Sequence, residues 1–147
     1  MNSEPSTTGP TFTGVVEHGD ARGRQLGFPT ANLSVSGPAA LDGVWAGTVT
    51  TLDDGRMLPA AISIGRRTTF YRRGSRLLEA HLLDVDVDLY GREITVRLGL
   101  LIRRQIRFTG VEELVRQIGL DVQEVRSWAA IPGAIAIGSL DADGRAA

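Results

Sequence analysis

The sequence of 147 residues contains no cysteine, which excludes disulfides and thiolate metal sites. It contains no lysine either: all 16 basic residues are arginine. The lysine of a Gly-Lys-Ser/Thr P-loop is therefore absent, and any such role falls to an arginine. Only two histidines are present, His18 and His81, so no histidine-rich transition-metal site is expected. The formal net charge is −1, which leaves no field to attract nucleic acid or an anionic membrane. No apolar run approaches the ~18 residues of a membrane-spanning helix. The first ten residues are polar and carry no apolar signal core. These absences point to a cytoplasmic enzyme or binding module, monomeric in the simplest case. The length suits one domain with a real core.

What is present first is punctuation. Residues 1–11 are mostly small and polar and read as a disordered tail. Phe12 to Val16 begins a strand. Val44 to Thr50 and Leu58 to Ile64 are rich in apolar and β-branched residues and are separated by the turn Asp53-Asp54-Gly55-Arg56. Leu77 to Leu83 alternates, with Leu78, Ala80 and Leu82 on one face and Glu79 and His81 on the other. Ile94, Val96 and Leu98 mark a further half-buried strand. Short strands with frequent turns argue for an antiparallel barrel or sandwich. Thr109-Gly110-Val111-Glu112 reads as a capping box, with Thr109 as N-cap. Val111, Leu114, Val115 and Ile118 then share a helix face, Gly119 reads as its stop, and Asp121 to Trp128 as a second helix.

The chemically dense stretch is Gly19 to Asn32. Its glycines let the backbone approach a ligand closely. Arg22 and Arg24 offer forked donors suited to phosphate. Thr30 and Asn32 are hard oxygen donors just after Pro29, and oxygen ligands together with phosphate are what Mg²⁺ prefers. By composition alone, such a stretch is more often a basic surface turn.

Arg22 to Leu33 (Arg-Gly-Arg-Gln-Leu-Gly-Phe-Pro-Thr-Ala-Asn-Leu) resembles the signature of the riboflavin kinase (flavokinase) family. Three further segments resemble it in the same order. Ser63 to Phe70 is similar to Ile-Gly-x-x-Pro-Thr-Phe, with Thr68 at the proline position. Glu79-Ala80-His81-Leu82-Leu83-Asp84, followed by Asp88-Leu89-Tyr90-Gly91, is similar to Glu-x-His-Leu-Leu-Asp-Phe…Asp-Leu-Tyr-Gly. Arg103 to Phe108 is like Leu-Arg-x-Glu-x-Lys-Phe, with Gln105 in place of the glutamate.

The resemblance spans about residues 12–130 and implies a small, closed, Greek-key-like antiparallel barrel of about six strands with C-terminal helices. Residues 131–147 fall outside it and form an extension of unknown role. The resemblance also implies transfer of phosphate from ATP to the ribityl 5′-hydroxyl of riboflavin, giving FMN and ADP. Gly19, Arg22, Gly23, Arg24, Gly27, Pro29, Thr30 and Asn32 would contact ATP. Thr30 and Asn32 would hold Mg²⁺ or another divalent cation, Arg103 and Arg104 would flank the flavin, and Glu79 would be the general base. By pattern alone Glu79 is the solvated face of a strand, and His81 a residue that packs beside the site. With no room for an adenylyltransferase half, the product expected is FMN. Thr68, Val85, Val87 and Gln105 depart from the family pattern, Val85 and Val87 beside the expected flavin pocket. They leave two alternatives open: an inactive flavin- or nucleotide-binding module, or a kinase for a modified flavin or another alcohol.

Overall fold

The computed structural model describes residues 9–19, 22–66 and 75–135. Six strands follow in chain order: β1 (Thr11–Val15), β2 (Ala31–Ser36), β3 (Gly43–Thr51), β4 (Met57–Arg66), β5 (Ser75–Leu82) and β6 (Glu93–Arg103). A single helical turn, α1 (Arg22–Gln25), lies between β1 and β2, and the long helix α2 (Val111–Ala129) follows β6. The strands form one antiparallel sheet in the order β1-β6-β3-β4-β5-β2. β3, β4 and β5 are sequential neighbours, and β6 returns beside β3, a Greek-key arrangement. The sheet curls until its edge strands meet. There the Glu17 N–H donates to the Asn32 carbonyl at 2.8 Å, an isolated antiparallel bridge. The result is a nearly closed barrel, fastened at the β1/β2 seam.

Alternation of side chains fills the interior. On β5, Arg76, Leu78, Ala80 and Leu82 are buried while Leu77, Glu79 and His81 lie on the other face and are half-buried. Leu33, Ile62, Ile64, Leu78, Ile94, Val96 and Leu98 are among the most completely buried side chains. Fully burying an aliphatic side chain of this size is worth about 1.5–3 kcal/mol, so this layer is the main stabilising element. A second, smaller cluster joins α2 to the outside of the barrel through Ala46, Ala61, Leu83 and Val125, with Ile102, Val122 and Trp128 packed against it. Gly99 makes the Trp128 contact possible: a Cβ there would lie 3.0 Å from the Ala46 carbonyl oxygen and closer still to the indole ring.

The expectations for the C-terminal region need two corrections. α2 is one continuous helix through Gly119, not two. A glycine stop needs the chain to leave the helix, but Leu114, Ile118, Val122, Val125 and Trp128 continue one stripe across it. A helical glycine costs only about 1 kcal/mol against alanine, which that packing offsets. The N-cap is Gly110, not Thr109. Thr109 still takes part in a reach-back, but to Glu113: its Oγ1 donates to the Glu113 carboxylate at 2.8 Å and its N–H at 3.3 Å. Glu113, one residue beyond the expected Glu112, is in reach because the helix starts one residue later.

At the N-terminus, ladder pairing begins at Thr11, before the expected Phe12. The Pro10 carbonyl already accepts the Leu98 N–H at 2.9 Å, since proline lacks a donor but keeps its acceptor. The rest of the expected tail (residues 1–8), Thr68 and residues 136–147 lie outside the described residues. No helix among the described residues is long and apolar enough to cross a membrane.

Candidate active site

The site grows from the register of two strands. β2 pairs with β5 so that Ala31 faces Ala80, Asn32 faces Glu79 and Leu33 faces Leu78. Ala31, Leu33, Leu78 and Ala80 point into the barrel. Period-two alternation therefore puts Asn32 and Glu79 side by side on the outer face. On the other side of Glu79, β4 places Ser63 directly opposite it.

Although on the outer face, Asn32 is only 5% exposed. The chain around Gly19 covers it. A Cβ at Gly19 would lie 2.9 Å from Asn32 Cγ and closer still to its amide nitrogen. Only a residue without a side chain allows this approach. Thr30 Oγ1 donates to Asn32 Oδ1 at 3.0 Å. An octahedral Mg²⁺ with ligands about 2.1 Å away requires about 3.0 Å between adjacent ligand oxygens. The Thr30–Asn32 pair already has that spacing, so these two residues fit the ion. Among the described residues no group of three His, Asp or Glu side chains could cage a metal. The remaining ligands of an ion here would be phosphate oxygens and water.

Two cavities flank this centre. The first, about 190 Å³, is lined by Glu17, His18, Gly19, Arg24, Pro29, Thr30, Asn32, Asp88 and Tyr90, among others. The second, about 210 Å³ and more apolar, is walled by Phe28, Phe108, Leu114 and Ile118, with Ser63, Glu79, His81, Arg103, Gln105 and Asp121 supplying polar groups. Thr30 lines both. The hard-oxygen pair and the carboxylate thus stand at the junction of a polar cavity and an apolar one.

The supporting contacts explain why these groups stay in place. His81 Nδ1 is 2.9 Å from the Pro29 carbonyl. A carbonyl only accepts, so Nδ1 carries the hydrogen. The Phe28 ring meets His81 edge-on at 5.4 Å. His81 thereby anchors the Phe28-Pro29-Thr30 turn, in line with its packing role. Glu17 accepts from the Ser34 N–H at 2.8 Å and from its hydroxyl at 3.0 Å, bracing the seam beside Asn32. His18 and Tyr90 stack at 3.6 Å between ring centroids and form one wall of the first cavity. Asp88 accepts from the Tyr90 N–H at 3.0 Å, which sets the turn that presents this ring.

Of the other residues singled out in the sequence, Arg24 is exposed and lines the first cavity. Arg22 and Gly23 belong to α1 by their backbone, and their surroundings lie outside the described residues. Gly27 has φ +89° and ends the turn with a hydrogen bond from its N–H to the Arg24 carbonyl. Arg103 lines the second cavity but is held by Asp121, with Nε and Nη2 donating to the two carboxylate oxygens at 2.8 and 2.7 Å. Asp121 is 3% exposed and also accepts from Gln117. Arg104 lines neither cavity; its Nη1 donates to the Ala40 and Asp42 carbonyls. The sequence assigns His18, Ser63 and Asp121 no site role, because only the folding of distant segments brings them to the two cavities.

The profile of the family described as "Flavokinase: Riboflavin kinase" matches residues 8–129. The chain belongs to the riboflavin kinase family. It is 43% identical over 119 residues to the bifunctional riboflavin kinase/FMN adenylyltransferase of Escherichia coli (strain K12), covering 80% of this chain and 37% of that protein. The protein of the same description from Bacillus subtilis (strain 168) is 34% identical over 113 residues, covering 76% and 36%. The chain thus spans little more than a third of the curated relatives it matches. Among solved structures, riboflavin kinase from Trypanosoma brucei superposes with a TM-score of 0.56 at 28% identity, covering 84% of this chain and 82% of that one. A Streptococcus pneumoniae structure described as a macrolide-efflux protein superposes with a TM-score of 0.69 at 35% identity, over 38% of its length.

The departures from the riboflavin kinase pattern sort by cavity. Val85 and Val87 line the first cavity. They follow the turn after β5, where Asp84 takes a left-handed φ of 58°. Gln105 lines the second cavity.

Proposed function

We propose that this chain transfers the γ-phosphoryl group of ATP to the ribityl 5′-hydroxyl of riboflavin, yielding FMN and ADP. The observation that carries this reading is the Asn32–Glu79 register pair. It sets an oxygen pair suited to Mg²⁺ beside a carboxylate, at the boundary of two cavities of unlike polarity.

The first cavity takes the nucleotide. The backbone at Gly19, the turn through Gly27 and Pro29, and the Arg24 guanidinium lie along its phosphates, with Arg22 and Gly23 on the same turn of helix. Thr30 and Asn32 would hold the divalent ion, which would supply positive charge to offset the phosphate charge. The second cavity takes the flavin, whose ring system suits the Phe28, Phe108, Leu114 and Ile118 walls. Glu79 accepts the proton of the ribityl hydroxyl as its oxygen forms a bond to the γ-phosphorus and the bond to the β-phosphate oxygen breaks. His81 keeps the Pro29–Thr30 turn in register with Glu79. Arg103, committed to Asp121, supports the flavin wall rather than carrying charge to it. Arg104 has no part in this reading.

The test is a chromatographic assay of purified protein with riboflavin, ATP and Mg²⁺, with Glu79→Gln as control. FMN from the native protein and not from the control supports reaction and base together. Tight riboflavin binding without FMN would leave a binding module. Neither binding nor FMN would call for other alcohols as acceptors.

A further inference from the structure

Three consecutive side chains stitch down the segment that leaves β6. Arg103 reaches Asp121 on α2, and Arg104 reaches the carbonyls of Ala40 and Asp42. The third, Gln105, is tied to the sheet itself. Its Nε2 donates to the Ile64 carbonyl at 2.9 Å and to Ser63 Oγ at 3.0 Å, and lies 3.5 Å from the Gly43 carbonyl. Gly43 and Ile64 are register partners, so one amide bridges the ends of β3 and β4. Carbonyl oxygens only accept, so whatever faces them must donate. The glutamate of the family pattern, ionised, would set oxygen against oxygen at this place.

We propose that Gln105 is a positioning residue that holds residues 103–108 as a ready-made wall of the second cavity, so that the acceptor meets a formed site instead of ordering one. The proposal rests on the reading of that cavity as the flavin site. Apparent affinity scales with the fraction of molecules in the competent form. If loss of the latch leaves the wall formed in about one molecule in ten, the dissociation constant rises about tenfold.

Two variants of the full chain test this. Gln105→Met keeps length, removes the donor and adds no charge; Gln105→Glu keeps shape and reverses the polarity. In the ligand-free protein, amide hydrogen exchange across residues 104–109 is expected to speed up about tenfold in both. The riboflavin dissociation constant, read by fluorescence quenching, is expected to rise to the same extent, with kcat at saturating riboflavin falling less than about twofold. Unchanged exchange in Gln105→Met overturns the latch, as does weakened binding in Gln105→Glu alone, which would mean charge repulsion. A fall in kcat at unchanged affinity also overturns it. If native protein neither binds riboflavin nor makes FMN, the functional reading fails, and the exchange comparison still decides the latch.

Discussion

Gly19→Ala is a one-methyl perturbation aimed at the oxygen pair. The added Cβ would lie 2.9 Å from Asn32 Cγ and nearer to the amide nitrogen, where carbon atoms in contact prefer about 3.5–4.0 Å. Asn32 is 5% exposed and flanked by Ala31 and Leu33 in the barrel wall, so its side chain has little room to retreat. Either the amide swings away, breaking the 3.0 Å bond from Thr30, or the Gly19 backbone lifts off the seam. Overpacking of this kind costs about 1–3 kcal/mol, a few degrees of melting temperature, and leaves the core intact. A displacement of about 1 Å in a positioning group costs about 10²-fold in rate. The expected outcome is a kcat/KM for Mg-ATP reduced about 100-fold, with riboflavin affinity within about twofold, since the second cavity is lined by other residues. The decisive assay is a double-mutant cycle. Once Asn32→Ala has removed the clashing amide, Gly19→Ala should have little further effect. Full additivity of the two changes, or native Mg-ATP kinetics in Gly19→Ala, would refute the argument that this glycine exists to seat Asn32.

Three further outcomes follow from the geometry. Glu79→Gln should bind riboflavin and Mg-ATP but lose about 10²–10⁴ in turnover, the usual range for a general base; near-native FMN production would remove Glu79 from that role. Gly99→Ala should destabilise the fold by about 1–3 kcal/mol through displaced Trp128, seen as a lower melting temperature and altered tryptophan fluorescence; an unchanged melting curve would count against the tight α2 contact. The hydrogen bond from Arg126 holds the Asp84 carboxyl below its ordinary value of 3.8. A depressed folded-state pKa means that this contribution to stability is present above the unfolded value and lost as pH falls through the folded one. Arg126→Gln should therefore bring the Asp84 titration, followed by NMR, back up toward 3.8. An unmoved titration would contradict the pairing.

Much of this site was legible in the sequence because its chemistry is local. Thr30 and Asn32 sit in one short run, and Glu79 interrupts an apolar strand. What the sequence leaves open is register: nothing in the spacing of Asn32 and Glu79 shows that they face each other, because hydrogen bonding between β2 and β5 decides it. The same holds for Ser63 and Asp121, which reach the second cavity from β4 and α2. Gly119 misled because a glycine's local preference was weighed without the packing stripe that runs past it. Gln105 was visible as a departure, but whether a donor or an acceptor belonged there depended on the carbonyls of Gly43 and Ile64, strands away.

The seam between β1 and β2 is joined differently from the rest of the barrel. Every other neighbouring pair in the barrel is joined by a ladder of several residue pairs, bulged between β3 and β6, whereas here, among the described residues, Glu17 and Asn32 form a lone bridge. Just past that bridge, the chain at Gly19 stays off the ladder and lies across the Asn32 side chain. An engineer seeking a more rigid barrel would zip this edge first, extending the pairing of Glu17 with Asn32 through Gly19 and Thr30. That zipper would occupy the ground where the polar cavity now opens. In this fold, robustness and reactivity compete for the same few residues of strand edge, so stabilising substitutions belong at the α2 contact and the hairpin turns, away from the gap.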